Sequence, residues 1–436
     1  MSKLLTKVSV AACAMTLGTS VLAAGFQLTE QSITGLGRSF AGAGIVGDDL
    51  SAISHNPAGL TLMNGTRVQQ NFVVTSLDLQ YKGVNGSTEN GRDTPAVIPS
   101  GFISHQVNEN LWVGLGITVP YGLKVRYGSE WEGRESGISG SILTADFNPT
   151  IAWKVNDFLS FGGGVSAMYT HSKIKAGLPL PGAEFEFKGD DWMFTWDAGV
   201  MVSPTDNLRF GLSYRSSAKV KARGDYRIRA FGQSSTVDGT GRLETPETLM
   251  FSGTWKALDN LRFSGLIRWA NWKNFDQMKF SANSSQQLLS NFDIQSIMGQ
   301  LAGKPGMLGS LPTVMSRISN VDIENYWKAT WLFTVGADWD INEKWTIRGG
   351  IGLETDPIKD QTYRTAVIPD SKRLWLSCGF SYNPAKNWQI DIAYAHLRGI
   401  GNDEIWAHKD GKPTEVIGHM KTTNAYMVGA GVQYQF

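Results

Sequence analysis

From about Thr66 to the C-terminus, hydrophobic and polar side chains alternate with a period of two. In the last segment Tyr426, Val428, Ala430, Val432, Tyr434 and Phe436 share one face, while Met427, Gly429, Gly431, Gln433 and Gln435 share the other. Leu261, Phe263, Gly265, Ile267 and Trp269 oppose Arg262, Ser264 and Arg268 in the same way. So do Trp331, Phe333, Val335, Ala337 and Trp339 against Thr330, Thr334, Gly336 and Asp338. Successive strand residues point to opposite faces, so each segment predicts a strand with one apolar and one polar side. A soluble sandwich alternates too, and one strand decides nothing. The connections separate the two readings.

Six connections are short: Asn108-Glu109-Asn110, Asn156-Asp157, Pro204 to Asn207, Asp259-Asn260, Asn342-Glu343-Lys344 and Asn383 to Asn387. Each carries Asn or Asp to make a tight turn and leads into a large apolar or aromatic residue. Between them run seven long polar connections, near 82–95, 120–139, 175–189, 217–245, 273–326, 355–372 and 399–421. Thirteen connections join about fourteen strands, and short turns alternating with long loops fit a closed barrel with unequal ends. The expected fold is all-β, a 14-stranded antiparallel transmembrane barrel over residues 66–436 with both termini on the short-turn, periplasmic side.

Composition agrees. Hydrophobic residues make up 42% of the 436, yet no internal run approaches the ~18 apolar residues of a spanning helix. The 49 Gly, 15 Trp, 20 Phe and 12 Tyr suit many strands with aromatic girdles. A formal net charge of +1 gives no reason to expect a nucleic-acid partner. Lys3 and Lys7, the apolar stretch Val8 to Leu22, and Val21-Leu22-Ala23 read as a signal peptide over 1–23. A lipoprotein reading of Val10-Ala11-Ala12-Cys13 leaves too short an apolar core after Lys7. Cleavage after Ala23 leaves Cys378 alone, so no intrachain disulfide is expected.

Residues 24–65 lack alternation and are rich in small residues, but Phe26, Leu28, Ile33, Leu36, Phe40, Ile45, Leu50, Ile53, Leu60 and Leu62 give them enough apolar side chains to pack. A ring of this size needs its interior filled, so the segment is expected as an internal plug, with a disordered tail as the alternative.

Gly25-Phe26-Gln27-Leu28, Gly35-Leu36-Gly37-Arg38, Asp48-Asp49 and Asn56-Pro57-Ala58 together resemble the hatch of the FadL-type long-chain fatty acid transporters. The likeness continues in Pro120-Tyr121-Gly122-Leu123, Trp345 to Gly350, Asp356-Pro357, Ile368-Pro369-Asp370 and Arg373 to Ser377, and so covers nearly all of the mature chain. The resemblance implies ligand capture at an outer hydrophobic groove, passage to an inner pocket that the N-terminal tail enters at Phe26, and lateral opening at a kink in the third strand, Pro120, Tyr121 and Gly122. It also implies the hatch motif Asn56, Pro57 and Ala58, which fixes a defined shape expected beside that strand. His171, Lys173 and Lys175 align with the segment that supplies the family's carboxylate-binding cation, although His171 stands where an arginine is expected. The alternative for these two lysines is solvated charge at a loop base. Leu288, Leu289, Phe292, Ile297 and Met298 recur at near-helical spacing in the longest loop, as a permissive groove or simply the packed face of a helical hairpin.

Catalysis is not expected. Six His come without a His-x-x-x-His or a Gly-x-Ser-x-Gly motif, and no acidic metal cluster or cofactor motif accompanies them. The expected partners are hydrophobic small molecules, outer-membrane lipids and lipopolysaccharide, and the barrel insertion machinery that reads a terminal aromatic such as Phe436, with the chain a monomer. Import of aromatic hydrocarbons is the rival within the family, and a general porin for polar solutes the rival outside it.

Overall fold

The computed structural model describes residues 25–91, 95–178, 182–301, 318–366, 368, 370–401, 403–409 and 412–436. The expected signal peptide lies outside them. Among the described residues fourteen strands close into one ring: β1 Thr66–Gly83, β2 Ala96–Gln106, β3 Leu111–Thr118, β4 Ser139–Lys154, β5 Leu159–Gly177, β6 Glu184–Thr205, β7 Leu208–Arg215, β8 Thr248–Leu258, β9 Leu261–Ala270, β10 Thr330–Asn342, β11 Trp345–Glu354, β12 Lys372–Ala385, β13 Trp388–Ile400 and β14 Lys412–Gln435. Every neighbouring pair is antiparallel, and β1 pairs with β14 from Arg67↔Gln435 to Gly83↔Gly418, which removes both edges.

Alternation sorts the faces as the sequence implies. Val428 is 54% exposed and its neighbour Met427 fully buried. Phe161, Val165, Phe194, Phe251, Phe263, Phe333 and Ile392 stand on the outside, with Trp153, Trp255, Trp339, Trp345 and Trp388 toward the short turns and Trp192, Trp196 and Trp331 toward the long connections. All six short turns are present.

Several segments expected as long loops contain strand instead, among them Thr88–Gly91 paired with β1, and Gln277–Ala282 paired with Asn320–Glu324. Lys219–Ala230 and Gln233–Glu244 form a hairpin paired from Lys219↔Glu244 to Ala230↔Gln233, and Asp403–Lys409 pairs with β14. The alternation continues there with charge rather than hydrocarbon on the outer face, so these stretches read as loop by polarity while keeping the strand period. Phe231 and Gly232, with φ of 55 and 73, supply the left-handed turn that joins the hairpin.

Residues 25–65 lie against the inner wall. They form two short helices, α1 Ile33–Gly37 and α2 Ala52–His55, and a 3₁₀ turn at Pro57–Leu62. The Ser32 Oγ accepts from the Gly35 amide at 2.8 Å and caps α1. Wall glycines make room for this segment. A Cβ on Gly350 would fall 2.2 Å from the carbonyl carbon of Arg38, and one on Gly162 would fall 2.4 Å from that of Pro57. The segment is also tied ionically: Arg38 holds Asp48 at 2.5 Å and reaches Asp338 on β10 at 3.3 Å, and Arg348 on β11 bonds the same Asp338 carboxylate at 3.0 Å. Buried charges persist where partners surround them, and here they join the segment to the wall.

Candidate functional site: the tail and the broken third strand

The third strand is interrupted. β3 ends at Thr118 and resumes only as Gly122–Arg126. Its pairing with β4 passes from Thr118↔Asp146 to Gly122↔Leu143, and its pairing with β2 stops at Gly101↔Ile117. Pro120 has no N–H to give a ladder, so a break here follows from the sequence. Thr144 replaces the missing ladder on one side: its Oγ1 accepts from the Tyr121 amide at 3.0 Å and donates to the Tyr121 carbonyl at 2.6 Å. The polar groups of Tyr121 therefore face β4. Those of Pro120 and Gly122 face the edge that β2 has left.

The tail occupies that edge. The Leu28 amide donates to the Pro120 carbonyl at 2.8 Å, and the Gly122 amide donates to the Phe26 carbonyl at 2.9 Å. Gln27 lies antiparallel and opposite Tyr121. Three residues of the N-terminal segment thus act as a short strand added to the break.

Phe26 points from this short strand into a wholly buried aromatic pocket. Its ring centroid is 5.8 Å from Tyr121, 5.1 Å from Trp272 and 5.2 Å from Phe275, with Trp327 packed on the last two. Gly25 adopts φ +67, and a Cβ there would come 2.6 Å from Trp272. Its amide donates to the Asp370 carboxylate, which Arg373 holds at 2.6 Å. Behind it Glu354 bonds Arg268 at 2.9 Å, and Arg268 also donates to Thr29 Oγ1 at 2.7 Å. Burial pushes the Asp370 carboxyl up to about 7 against the pull of Arg373 and the Gly25 amide. Glu30, one residue along the same segment, is likewise raised to about 7 by burial.

The remaining expected residues lie elsewhere. Asn56, Pro57 and Ala58 form a tight turn, Asn56 Oδ1 accepting from the Ala58 amide at 3.1 Å. Asn56 Nδ2 donates to the Val200 carbonyl at 3.1 Å, and the turn packs on Gly162 and Gly199, so it abuts β5 and β6 rather than the break at Pro120. His171, Lys173 and Lys175 occupy alternate positions of β5 whose side chains face outward, away from the Phe26 pocket. They pair with Asp190 at 2.6 Å, Glu186 at 3.5 Å and Glu184 at 2.7 Å. The expected groove residues fall on helices Ser285–Ser290 and Ile294–Leu301, with Phe292 in the turn between them. Leu288, Phe292 and Ile297 are buried there in the same apolar cluster as Phe26, Leu289 is half-buried against it, and Met298 is exposed. A separate cleft of about 560 Å³ lies among the long connections, lined by Leu178, Val321, Ile323, Trp406 and Ile417 together with Arg364 and the acidic Glu132, Glu135, Asp322 and Glu324.

Trp272, Phe275, Trp327, Asp370, Arg373 and Arg268 were not singled out as site residues from sequence. Trp272 and Phe275 break the strand alternation directly after β9, and that lapse was the available signal.

A closed barrel whose lumen holds its own N-terminal segment, with a tail strand bridging a break in the wall, defines a class of membrane β-barrels built around a filled interior. The family described as Outer membrane protein transport protein (OMPP1/FadL/TodX) matches residues 14–436, and the chain belongs to it. It is 24% identical over 448 residues to the Long-chain fatty acid transport protein of Escherichia coli K12, covering 91% of this chain and 92% of that one. Identity to Outer membrane protein P1 of Haemophilus influenzae is 25%, covering 86% of each chain. Among solved structures, a Pseudomonas aeruginosa FadL homologue superposes with a TM-score of 0.78 at 20% identity, covering 95% of this chain and all (100%) of that one. The P. putida toluene transporter TodX gives 0.69 at 16% identity, covering 89% and 94%.

Proposed function

We propose that this chain is an outer-membrane channel for uptake of long-chain fatty acids or similar hydrophobic molecules, not an enzyme. The short turns and both termini face the periplasm, and residues 24–65 act as the hatch. One observation carries the reading: the tail that fills the buried aromatic pocket is the same segment that completes the broken wall. A ligand entering the pocket competes with Phe26, and loss of Phe26 withdraws the partner of Pro120 and Gly122. The vacated edge of β3 then opens sideways. That route suits hydrocarbon, which gains about 0.8 kcal/mol per methylene by staying in apolar surroundings. Arg364 at the cleft, paired with Asp403 at 2.9 Å, or Arg268 and Arg373 beside the tail, paired with Glu354 and Asp370, meets a ligand carboxylate by exchanging partners, whereas His171, Lys173 and Lys175 stand on the outer face away from the pocket.

The four rings Tyr121, Trp272, Phe275 and Trp327 also favour a second reading, import of aromatic hydrocarbons. Mass spectrometry of small molecules co-purifying with the folded protein tests both. A long-chain fatty acid is expected. A monoaromatic hydrocarbon instead supports the second reading, and a protein that carries neither and conducts polar solutes freely is a porin.

A further inference from the structure

The outward face of the wall beyond Trp192 changes from hydrocarbon to charge. Most of that charge is compensated within the sheet. Lys173 pairs with Glu186 and Lys175 with Glu184, while Arg227 reaches Glu186 at 3.4 Å and Arg229 reaches Glu184 at 3.9 Å. One row sets three cations side by side. Lys221 lies directly opposite Arg242, and Arg242 directly opposite Lys279. All three side chains are exposed, while their sequence neighbours Val220, Ala222, Gly241, Met278 and Phe280 are buried on the inner face. Directly opposed residues have Cβ atoms about 5 Å apart, and like charges at that spacing destabilise a sheet. Asp322, the carboxylate opposite Lys279, makes no ion pair with it, and none of the three cations has a carboxylate within salt-bridge distance among the described residues.

Three adjacent exposed cations on neighbouring strands offer a site to anions from outside the protein. Their location says which. The Lys221 amide donates to Asp191 Oδ2 at 2.7 Å, which holds the start of the row beside Trp192. Trp192 is 54% and Phe194 77% exposed, so the row continues the hydrocarbon-facing surface outward from its aromatic border. A molecule spanning that border carries acyl chains below and phosphates above. We infer that Lys221, Arg242 and Lys279 form a binding site for the phosphorylated saccharide headgroup of lipopolysaccharide in the outer leaflet. The inference rests on the proposed orientation, with the long connections outside. Arg and Lys donate charge-assisted bonds to phosphate oxygens, and three cations across about 10 Å of sheet span more than a single phosphate. The occupied site relieves the repulsion that the bare sheet carries.

The test uses the full-length barrel in detergent, titrated with lipopolysaccharide and followed by native mass spectrometry. The variant Lys221→Gln/Arg242→Gln/Lys279→Gln is compared with Lys256→Gln/Lys344→Gln/Lys386→Gln, which removes the same charge at the short turns. Each cation beside an anionic headgroup strengthens binding several-fold, so the first variant is expected to bind about a hundredfold more weakly and the second like the parent. Dephosphorylated lipopolysaccharide should bind the parent as weakly as intact lipopolysaccharide binds the first variant. Folding of each variant is read separately from its heat-dependent shift in gel mobility. The inference is overturned if the first variant, folded, keeps parental affinity. It is overturned equally if phosphatidylglycerol, an acidic peptide or a nucleic acid competes as well as lipopolysaccharide, since the row would then be an unselective patch. None of these readouts involves uptake, so they stand or fall apart from the proposed transport.

Discussion

Replacing Phe26 by Ala should undock the tail while leaving the barrel closed. Phe26 is 1% exposed and its ring meets Tyr121, Trp272 and Phe275 at 5.1 to 5.8 Å. Truncating a buried Phe to Ala costs about 3–5 kcal/mol, part of it from lost ring–ring contacts. Global stability should fall by less, because the barrel ladders do not pass through this residue. The docked state of residues 25–28 bears the whole cost. Two backbone bonds, Leu28 to Pro120 and Gly122 to Phe26, then hold the short strand on β3, flanked by the Gly25 amide on Asp370 and Arg268 on Thr29. At about 1.4 kcal/mol per tenfold, the undocked population should rise by roughly a hundredfold to a few thousandfold. Amide hydrogen exchange reads this directly, since the Gly122 amide is protected by the tail and by nothing in the ring. Exchange at Leu28 and Gly122 should accelerate by about that factor, with amides in the centres of β5 and β12 unchanged. Parental protection at Gly122 in Phe26→Ala would refute the idea that this ring anchors the tail on β3.

Two other outcomes follow from the same geometry. Burial pushes the Asp370 carboxyl up to about 7 from an ordinary value of 3.8, outweighing the opposite pull of Arg373 and the Gly25 amide. The docked state therefore binds the extra proton, its advantage is full below about pH 4 and is lost as pH rises through 7, and proteolytic access to the tail should increase from pH 5 to pH 8; a profile in Asp370→Asn as steep as the parent's would assign the dependence to another group such as Glu30. Gly350→Ala sets a methyl 2.2 Å from the Arg38 backbone and so displaces the hatch beside Asp338, raising single-channel conductance in planar bilayers, and parental conductance would mean that the lumen is blocked by something other than this segment.

The barrel was legible because its rules act locally. A two-residue period marks each strand, Asn and Asp mark each short turn, and the unequal loops mark the two ends. The break at Pro120 was legible too, since a missing N–H and a glycine two residues on interrupt any ladder. What replaces the ladder was not. That Gln27 lies opposite Tyr121, or that the Gly25 amide meets Asp370, depends on pairings across 94 and 345 residues of chain that no local pattern encodes. The stretch His171 to Lys175 shows the opposite failure. Its basic residues attract notice in one dimension, but strand parity turns them outward, where Asp190, Glu186 and Glu184 neutralise them. Hatch glycines and wall glycines look alike in sequence, yet Gly350 and Gly162 are needed for the close approach of Arg38 and Pro57 rather than for a turn.

The most direct measurement locks the tail onto the third strand. Gln27 and Tyr121 are opposed in a bridge whose bonds run through their neighbours, from Leu28 to Pro120 and from Gly122 to Phe26, so they form the closer, non-hydrogen-bonded kind of pair. Such pairs have Cα atoms about 4.5 Å apart, within disulfide range. In Gln27→Cys/Tyr121→Cys with Cys378→Ser, cells lacking any other importer should take up labelled oleate under reducing conditions and stop when the disulfide forms. The barrel should stay folded in both states. Oleate import by the oxidised protein at the reduced rate would contradict the account, because the ligand would then cross without moving the tail from the broken strand.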